Sequence, residues 1–160
     1  MTSTDSATSA VESRLLELGI TLPEVVQPIA TYVPAVVSGN YVYTSGQLPI
    51  INGELSASGK VGSDISPEDA KEYAATCAVN ALAAIKSQIG DLDRISRIVK
   101  VVGFVASDPA FTGQPGVING ASELLGKVLG EAGAHARSAV GVAVLPRNAP
   151  VEVEVIAEFV

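Results

Sequence analysis

The segment AHARSAVGVAVLPRNAPVEVEVIAEF, residues 134–159, contains two runs of β-branched residues separated by turn-forming residues. In the second run apolar residues alternate with glutamates, and a period of two places Glu152 and Glu154 on one face of a strand and the valines on the other. The first run begins near Arg137. Charges on otherwise apolar strands cost free energy unless they neutralise one another or face a cleft where a ligand completes the set. The segment therefore predicts two strands joined by a polar turn, whose charged residues either pair with one another or face a ligand.

The remaining pattern predicts an α+β fold. Residues 65–90 form the clearest helix, because Ser66 is suited to the N-cap, Pro67 to the first helical position and Gly90 to the end. The other expected elements are a short helix at 10–19, a strand at 40–49, a tight turn at 51–55, a strand at 94–107 and a helix at 108–133. We expect two helices to cover one face of a mostly antiparallel or mixed sheet.

Length and composition indicate one domain that associates with copies of itself. The 160 residues fit a single domain, which we expect to span 20–160 after a tail and short peripheral helix at 1–19. The tail, to about residue 9, is rich in Ser, Thr and Ala and has little to bury. Hydrophobic residues make up 48% of the chain and charged residues 17%, a balance more apolar than a monomer requires. A homo-oligomer is expected.

Charge and apolar patterning disfavour several classes of protein. The net charge of −7 argues against nucleic-acid binding, which depends on clustered positive charge. We expect no membrane association, since no segment approaches the ~20 apolar residues of a span, and the N-terminus lacks the pattern of a secretory leader. The single cysteine, Cys77, cannot form an intrachain disulfide and lies on the small-residue face of the 65–90 helix, which predicts a core position. A cytoplasmic protein is expected.

No familiar catalytic or metal-binding motif is present. The sequence lacks a P-loop, a dinucleotide-binding glycine motif, a nucleophile elbow and zinc-ligand spacing. His135, the only histidine, lies three residues from Ser138, but a Ser-His-Asp triad is disfavoured without a nucleophile elbow, and a loop position is the simpler interpretation. Asp91 and Asp93 follow a helix end and are expected to form a solvated turn rather than a metal site. Neither a metal nor a cofactor is expected.

Arg137 and Glu152 leave two interpretations open. If Arg137 lies on a strand next to the last one, its planar guanidinium could hold a glutamate as a structural ion pair. Alternatively, a guanidinium in a partly desolvated cleft can grip the carboxylate of a small acid in two places, while Glu152 acts as a base toward a water. The residues alone do not choose between these interpretations.

Two blocks of the sequence resemble signatures of the Rid family, the reactive intermediate deaminases, also called YjgF or endoribonuclease L-PSP. The first, YVPAVVSGNYVYTSGQLP from Tyr32, is similar to the opening Y-x-x-x-x-x-x-G-x-x-x-x-x-SGQ-[IL]-P. The second, HARSAVGVAVLPRNAPVEVEVIAEF from His135, is similar to the closing P-A-R-S-x-V-x-V-x-x-L-P-x-x-x-x-[VI]-E-[IV]-E. The resemblance covers nearly the whole chain from about residue 29. It implies a chorismate-mutase-like mixed sheet packed against two helices, assembled as a homotrimer with ligand clefts between subunits.

The resemblance also implies an activity and a set of site residues. The activity is cofactor-free hydrolysis of enamine and imine intermediates, such as 2-aminoacrylate and 2-iminopropanoate, to a 2-oxo acid and ammonia. Arg137 matches the arginine that clamps the substrate carboxylate, and Glu152 matches the glutamate that orients or activates the attacking water. The residues that match the lining of the cleft are Tyr32, Ser45, Gly46 and, in the segment INGAS, Asn119.

Departures from the family pattern place the chain in a divergent branch and keep other functions open. Ala139 stands where many deaminating members have cysteine, and Gly141 stands where many have glutamate. A non-catalytic protein that binds 2-oxo acids, or responds to them, is the alternative function. RNA cleavage is disfavoured, because the chain offers neither a basic stripe nor many aromatic residues for stacking on bases.

Overall fold

Three α-helices, seven β-strands and three short 3-10 helices form the regular structure of residues 9–160, the part of the chain that the computed structural model describes. The α-helices are α1 (Ala10–Glu17), α2 (Pro67–Ile89) and α3 (Gln114–Leu129). The strands are β1 (Ala35–Ser38), β2 (Tyr41–Thr44), β3 (Ile50–Ile51), β4 (Glu54–Leu55), β5 (Ile95–Ala106), β6 (Ala136–Val142) and β7 (Val151–Phe159). The α+β class is therefore confirmed, while the tail expected at the start of the chain lies, except for Ser9, outside the described residues.

Five of the strands form one mixed sheet, in the order β1-β2-β7-β5-β6. β5 and β6 run parallel, and the other neighbouring strands run antiparallel. Val101 of β5 pairs with Val155 of β7 on one side and with Arg137 of β6 on the other, so these three side chains point to the same face. Phe104 pairs with Glu152, and both point to the opposite face.

The helices α2 and α3 pack together on one face of this sheet, which we call the helix face. Its buried side chains include Val101, Val105 and the alternating valines of β7, which belong to the same core cluster as the apolar residues of α2 and α3. At Gly103 the approach is so close that an added Cβ would lie 2.3 Å from the end of Ile118 on α3. We call the other side the open face, since no element of the described chain packs across it.

The long helix α2 begins and ends where its sequence predicts. Ser66 Oγ accepts a hydrogen bond from the backbone N–H of Asp69 at 3.1 Å, and Gly90 ends the helix with a φ of 84°, a conformation that glycine adopts without strain. Cys77 is fully buried under the sheet, as expected. No helix among residues 9–160 is both long and apolar enough to cross a membrane.

Close contact between α2 and α3 depends on Gly120. A Cβ added at this position would lie 1.9 Å from the carbonyl oxygen of Lys71 on α2, so only glycine fits. Gly126, two turns further along α3, has nothing within 4 Å of an added Cβ. Gly120 and Gly126 therefore have different roles, because Gly120 lies at the helix contact and Gly126 faces away from it.

Asp91 and Asp93 lie exposed in the turn after α2, as expected, and Asp93 also attaches the short helix α1 to the rest of the fold. The Asp93 carboxylate accepts hydrogen bonds from Ser9 Oγ at 2.8 Å and from the backbone N–H groups of Ala10 and Val11 at 2.9 and 3.0 Å. These hydrogen bonds hold the pKa of Asp93 below its ordinary value. The helix also contributes Val11 and a fully buried Leu15 to the main core.

Two features of the sheet are not given by the sequence patterns. The last two strands, β6 and β7, are not neighbours, because β5 lies between them and pairs with both. The first strand, β1, was not expected, because the prolines between residues 20 and 36 indicate an extended or irregular segment before the strand at 40–49, yet β1 forms a hairpin with β2 in which Ser38 pairs with Tyr41. The sheet consequently has one more strand than the pattern indicates. The proposed boundary between 1–19 and 20–160 stays a prediction.

Candidate functional site

The first half of the candidate site is the Arg137 side chain on the helix face. Arg137 lies on the edge strand β6, opposite the start of α3. Its Nη1 donates to Asn119 Oδ1 at 2.8 Å and to Ser122 Oγ at 3.2 Å, and its Nη2 donates to the carbonyl oxygen of Pro115 at 3.3 Å. Asn119, which the resemblance to the Rid family predicts to line the cleft, is therefore a direct hydrogen-bond partner of Arg137.

These contacts leave part of the guanidinium open. A guanidinium carries five N–H donors in a rigid plane. Three of them have acceptors in the described chain, on Asn119, Ser122 and Pro115, so that Nε–H and one Nη2–H remain. All three acceptors are neutral, and the positive charge is not balanced by any ion pair among residues 9–160. Two free donors and a net charge are what bidentate binding of one carboxylate needs.

The interpretation of Arg137 and Glu152 as a structural ion pair is wrong. It required neighbouring strands, whereas β5 separates β6 from β7. Adjacent strands lie about 4.8 Å apart, so the two backbones are separated by roughly twice that distance. Furthermore, Arg137 points to the helix face and Glu152 to the open face. The charges on the two strands therefore do not neutralise each other within one chain.

The second half of the candidate site surrounds Glu152. Tyr32, Gly46 and Glu152 line one cavity of about 40 Å³, which is large enough for a water molecule. A Cβ added at Gly46 would lie 1.9 Å from Glu152 Oε1, so the absence of a side chain at this position is what admits the carboxylate. The resemblance to the Rid family assigned these three residues to one site, and the structure brings them together around this cavity.

Ser45 anchors the segment that carries Tyr32 by two hydrogen bonds. Its Oγ donates to the carbonyl oxygen of Val33 at 2.6 Å, and its backbone N–H donates to the carbonyl oxygen of Pro34 at 2.8 Å. Both acceptors belong to the segment that carries Tyr32. The hydroxyl of Ser45 is thus used to fix this segment against the end of β2.

Partial burial changes the acidity of Glu152. Loss of hydration raises the pKa of this carboxyl above its ordinary value, and the nearby negative charge of Glu154 raises it further. Both effects disfavour the ionised form. A carboxylate with a raised pKa beside a cavity of water size is suited to accept a proton from that water.

The two halves cannot serve one ligand within a single chain, because they lie on opposite faces of the sheet. Arg137 and Asn119 are on the helix face, near the start of α3. Tyr32, Gly46 and Glu152 are on the other side, near the end of β2. A ligand that touches both Arg137 and Glu152 must therefore take one of them from a second copy of the chain.

Sequence reasoning missed Ser122 and assigned no partner to His135. His135 lies in the loop before β6, as expected, and its Nε2 is 2.9 Å from Ser122 Oγ on α3. Ser138, the serine that the sequence suggested, pairs with Val102 and points to the open face, away from His135. No pattern in the sequence joins positions 122 and 135, since the contact depends on how α3 packs over β6. Within residues 9–160 no group of His, Cys, Asp and Glu side chains is arranged to hold a metal ion.

Comparison with known proteins agrees with the fold and with the two signature blocks. The family model described as "YjgF/chorismate_mutase-like, putative endoribonuclease" matches residues 12–159. Protein TCP17 of Trypanosoma cruzi is 42% identical over 154 residues, which is 96% of each chain.

Solved structures give the same result. Protein Atu1372 of Agrobacterium tumefaciens, a protein of unknown function, is 51% identical over 94% of this chain and 93% of its own, with a TM-score of 0.89. The YjgF gene product of E. coli is 28% identical over 84% of this chain and 93% of its own, with a TM-score of 0.62. On the combined evidence of the family match, these relatives and the shared fold, the chain belongs to the YjgF/chorismate-mutase-like family.

Proposed function

We propose that this protein hydrolyses small enamines and imines that carry a carboxylate, of the 2-aminoacrylate and 2-iminopropanoate type, to a 2-oxo acid and ammonia. The observation that carries the proposal is the open edge of Arg137. Within residues 9–160 two of its N–H donors have no acceptor, and the other three are held by neutral acceptors that leave its charge for a ligand. That arrangement fits a planar carboxylate and is not explained by packing alone.

The proposed chemistry needs little beyond position and one base. Arg137 holds the carboxylate of the substrate, and a water lies beside Glu152. With its nitrogen protonated, the imine carbon is electrophilic, and Glu152 takes a proton as the water oxygen bonds to that carbon; an enamine enters the same route after it tautomerises to the imine. The Glu152 carboxyl then returns the proton to the amine nitrogen, the C–N bond breaks to release ammonia, and the hydroxyl proton passes to water as the C=O bond of the 2-oxo acid forms. The products are a 2-oxo acid and ammonia, so water is the only other reactant.

The working unit in this proposal is an oligomer, and the resemblance to the Rid family indicates a homotrimer. The open face supports association, since it presents apolar side chains on several strands. Val36 is 50% exposed, Tyr43 44% and Val140 43%, and no described element covers them. A second chain packed there would bury this surface. It would also supply the missing half of each site.

Supplying the imine directly tests the proposal. 2-Iminopropanoate, generated in place from alanine by an amino-acid oxidase, is followed as it disappears in the presence of wild type, Arg137→Ala, Glu152→Gln and Glu158→Gln. Glu158 serves as the matched control, because it lies on the same strand and face as Glu152 but bonds Ser96 at the far end. We expect wild type and Glu158→Gln to accelerate the loss. Equal rates with wild type and with buffer would refute the deaminase proposal.

Binding without catalysis is the second candidate function. It is favoured by one observation: the three acceptors around Arg137 belong to the same chain as the arginine, so a carboxylate clamp exists without Glu152. A binding protein would retain a 2-oxo acid in the wild type and in Glu152→Gln, lose it in Arg137→Ala, and leave the rate of imine loss equal to that in buffer.

A further inference from the structure

A chain of hydrogen bonds lies behind the open edge of Arg137. His135 Nδ1 is 2.6 Å from the carbonyl oxygen of Gly133, and His135 Nε2 is 2.9 Å from Ser122 Oγ. Ser122 Oγ is in turn 3.2 Å from Arg137 Nη1. The side chains concerned are partly buried, so water competes with these bonds less than it does at the surface.

With His135 in its neutral form, the two ends of this series of hydrogen bonds fix the direction of each bond. A carbonyl oxygen only accepts, so Nδ1 of His135 carries the hydrogen and donates it to Gly133. In a neutral imidazole, Nε2 then has a free lone pair, which accepts the hydroxyl hydrogen of Ser122. At the other end, the guanidinium of Arg137 only donates. Because the Ser122 hydroxyl hydrogen points to His135, the lone pairs of Ser122 Oγ are oriented to accept from Arg137.

This arrangement decides which edge of the guanidinium is presented to a ligand. The two hydrogens of Nη1 go to Asn119 and Ser122 and one hydrogen of Nη2 goes to Pro115, so these bonds fix the plane of the guanidinium and the direction of the donors that remain on Nε and Nη2. Without His135, the hydroxyl of Ser122 can rotate and donate elsewhere. Arg137 would then recover part of the rotational freedom of its long side chain.

We infer that His135 is a positioning residue for the carboxylate clamp and that it acts through Ser122. The inference rests on the proposed function, since it takes the open edge of Arg137 as the carboxylate site. A clamp that holds the carboxylate equally in the ground and transition states affects KM rather than kcat. Loss of His135 should therefore raise KM and weaken the binding of a 2-oxo acid by about tenfold, the effect of one hydrogen bond, with kcat nearly unchanged.

The test measures the affinity for pyruvate, the kinetics of imine hydrolysis and the melting temperature of the full-length protein. The variants are His135→Ala, His135→Gln, Ser122→Ala and the double alanine variant. Ser87→Ala is the control, because the one hydrogen bond of the Ser87 hydroxyl among residues 9–160 goes to the carbonyl oxygen of Ala84 within its own helix. We expect the single alanine variants and the double variant to lose affinity to the same extent. His135→Gln, whose amide can both donate and accept, should recover most of it.

Three results would overturn the inference. One is a lower melting temperature for His135→Ala with unchanged affinity for pyruvate, which would mark a structural role. Another is a double variant whose loss is the sum of the two single losses, which would mean that His135 and Ser122 act separately. The third concerns the wild type alone. Since His135 is the only histidine in the sequence, a long-range proton–nitrogen NMR spectrum shows directly which ring nitrogen carries the hydrogen. A hydrogen on Nε2 would mean that this nitrogen cannot accept from Ser122.

The same measurements separate this inference from the proposed function. Pyruvate binding by the wild type without imine hydrolysis refutes only the deaminase, and the affinities of the variants still decide the role of His135. Absence of pyruvate binding by the wild type refutes the clamp, and the inference about His135 fails with it.

Discussion

Replacing Gly46 by alanine tests the position of the Glu152 carboxylate without removing it. The new Cβ would lie 1.9 Å from Glu152 Oε1 and 2.7 Å from its Cδ, whereas real Cβ atoms essentially never come within 3.0 Å of another heavy atom. The carboxylate must therefore retreat by more than 1 Å. The atoms that must move are at the end of a flexible side chain, and the backbone of Gly46 is not in the left-handed region, so alanine fits otherwise.

The consequence should be a large loss of activity at little cost in stability. A displacement of about 1 Å in a reacting group can lower the rate by roughly 10²-fold, and we expect kcat/KM for imine hydrolysis to fall by that order. The free energy of unfolding should change by less than about 1 kcal/mol, since alanine also reduces the entropy of the unfolded chain. Urea denaturation and single-turnover kinetics of Gly46→Ala measure the two quantities.

Two comparisons make the result interpretable. Gly126→Ala controls for the added methyl group, since nothing lies within 4 Å of it. Glu152→Gln gives the activity that remains when no base is present. If Gly46→Ala retained wild-type kcat/KM at wild-type stability, the Glu152 carboxylate in its present position would not be the base, and the reasoning from the shared cavity would be refuted.

Three further predictions concern stability. Because the pKa of Glu152 is raised, the native state loses stability as the pH rises from the ordinary glutamate pKa through the native pKa. Glu152→Gln, which cannot ionise, should therefore have a higher urea midpoint than wild type at pH 7 and the same midpoint near pH 4. The pKa of Asp93 is lowered, so its contribution is present above the ordinary aspartate pKa and disappears as the pH falls through the native one. Asp93→Ala should therefore cost about 1 kcal/mol at pH 7, much less in strong acid, and speed amide hydrogen exchange across Val11 to Leu18. Gly120→Ala should destabilise by at least about 2 kcal/mol in urea, because a backbone carbonyl obstructs the methyl group, whereas Gly126→Ala should be neutral or stabilising.

Much of the fold follows from local patterns. The ends of α2 are predicted by Ser66 and Gly90, because capping and left-handed backbone depend on the residues themselves. The alternation in β7 predicts which side chains are buried, since a strand with one covered face has a period of two. These features need no knowledge of distant parts of the chain.

The errors arise where the answer depends on packing between distant segments. The residue patterns of β6 and β7 predict that both are strands, but the position of β5 between them depends on the whole sheet. The hydrogen bond from Ser122 to His135 and the attachment of Ser9 to Asp93 join positions on separate elements. For the candidate site, the resemblance to the Rid family nominated residues that do come together in two groups, while the division between two faces of the sheet is visible only in three dimensions.

If neighbouring chains complete the site as proposed, the placement of Arg137 and Glu152 on opposite faces means that two inactive variants can restore activity to each other. In the proposed cyclic assembly each cleft combines the arginine of one chain with the glutamate of its neighbour, so an Arg137→Ala chain and a Glu152→Gln chain would still hold one intact cleft between them. Random mixing of equal amounts, by unfolding and refolding together, should restore about a quarter of wild-type activity to two inactive preparations. A site built within one chain would restore none.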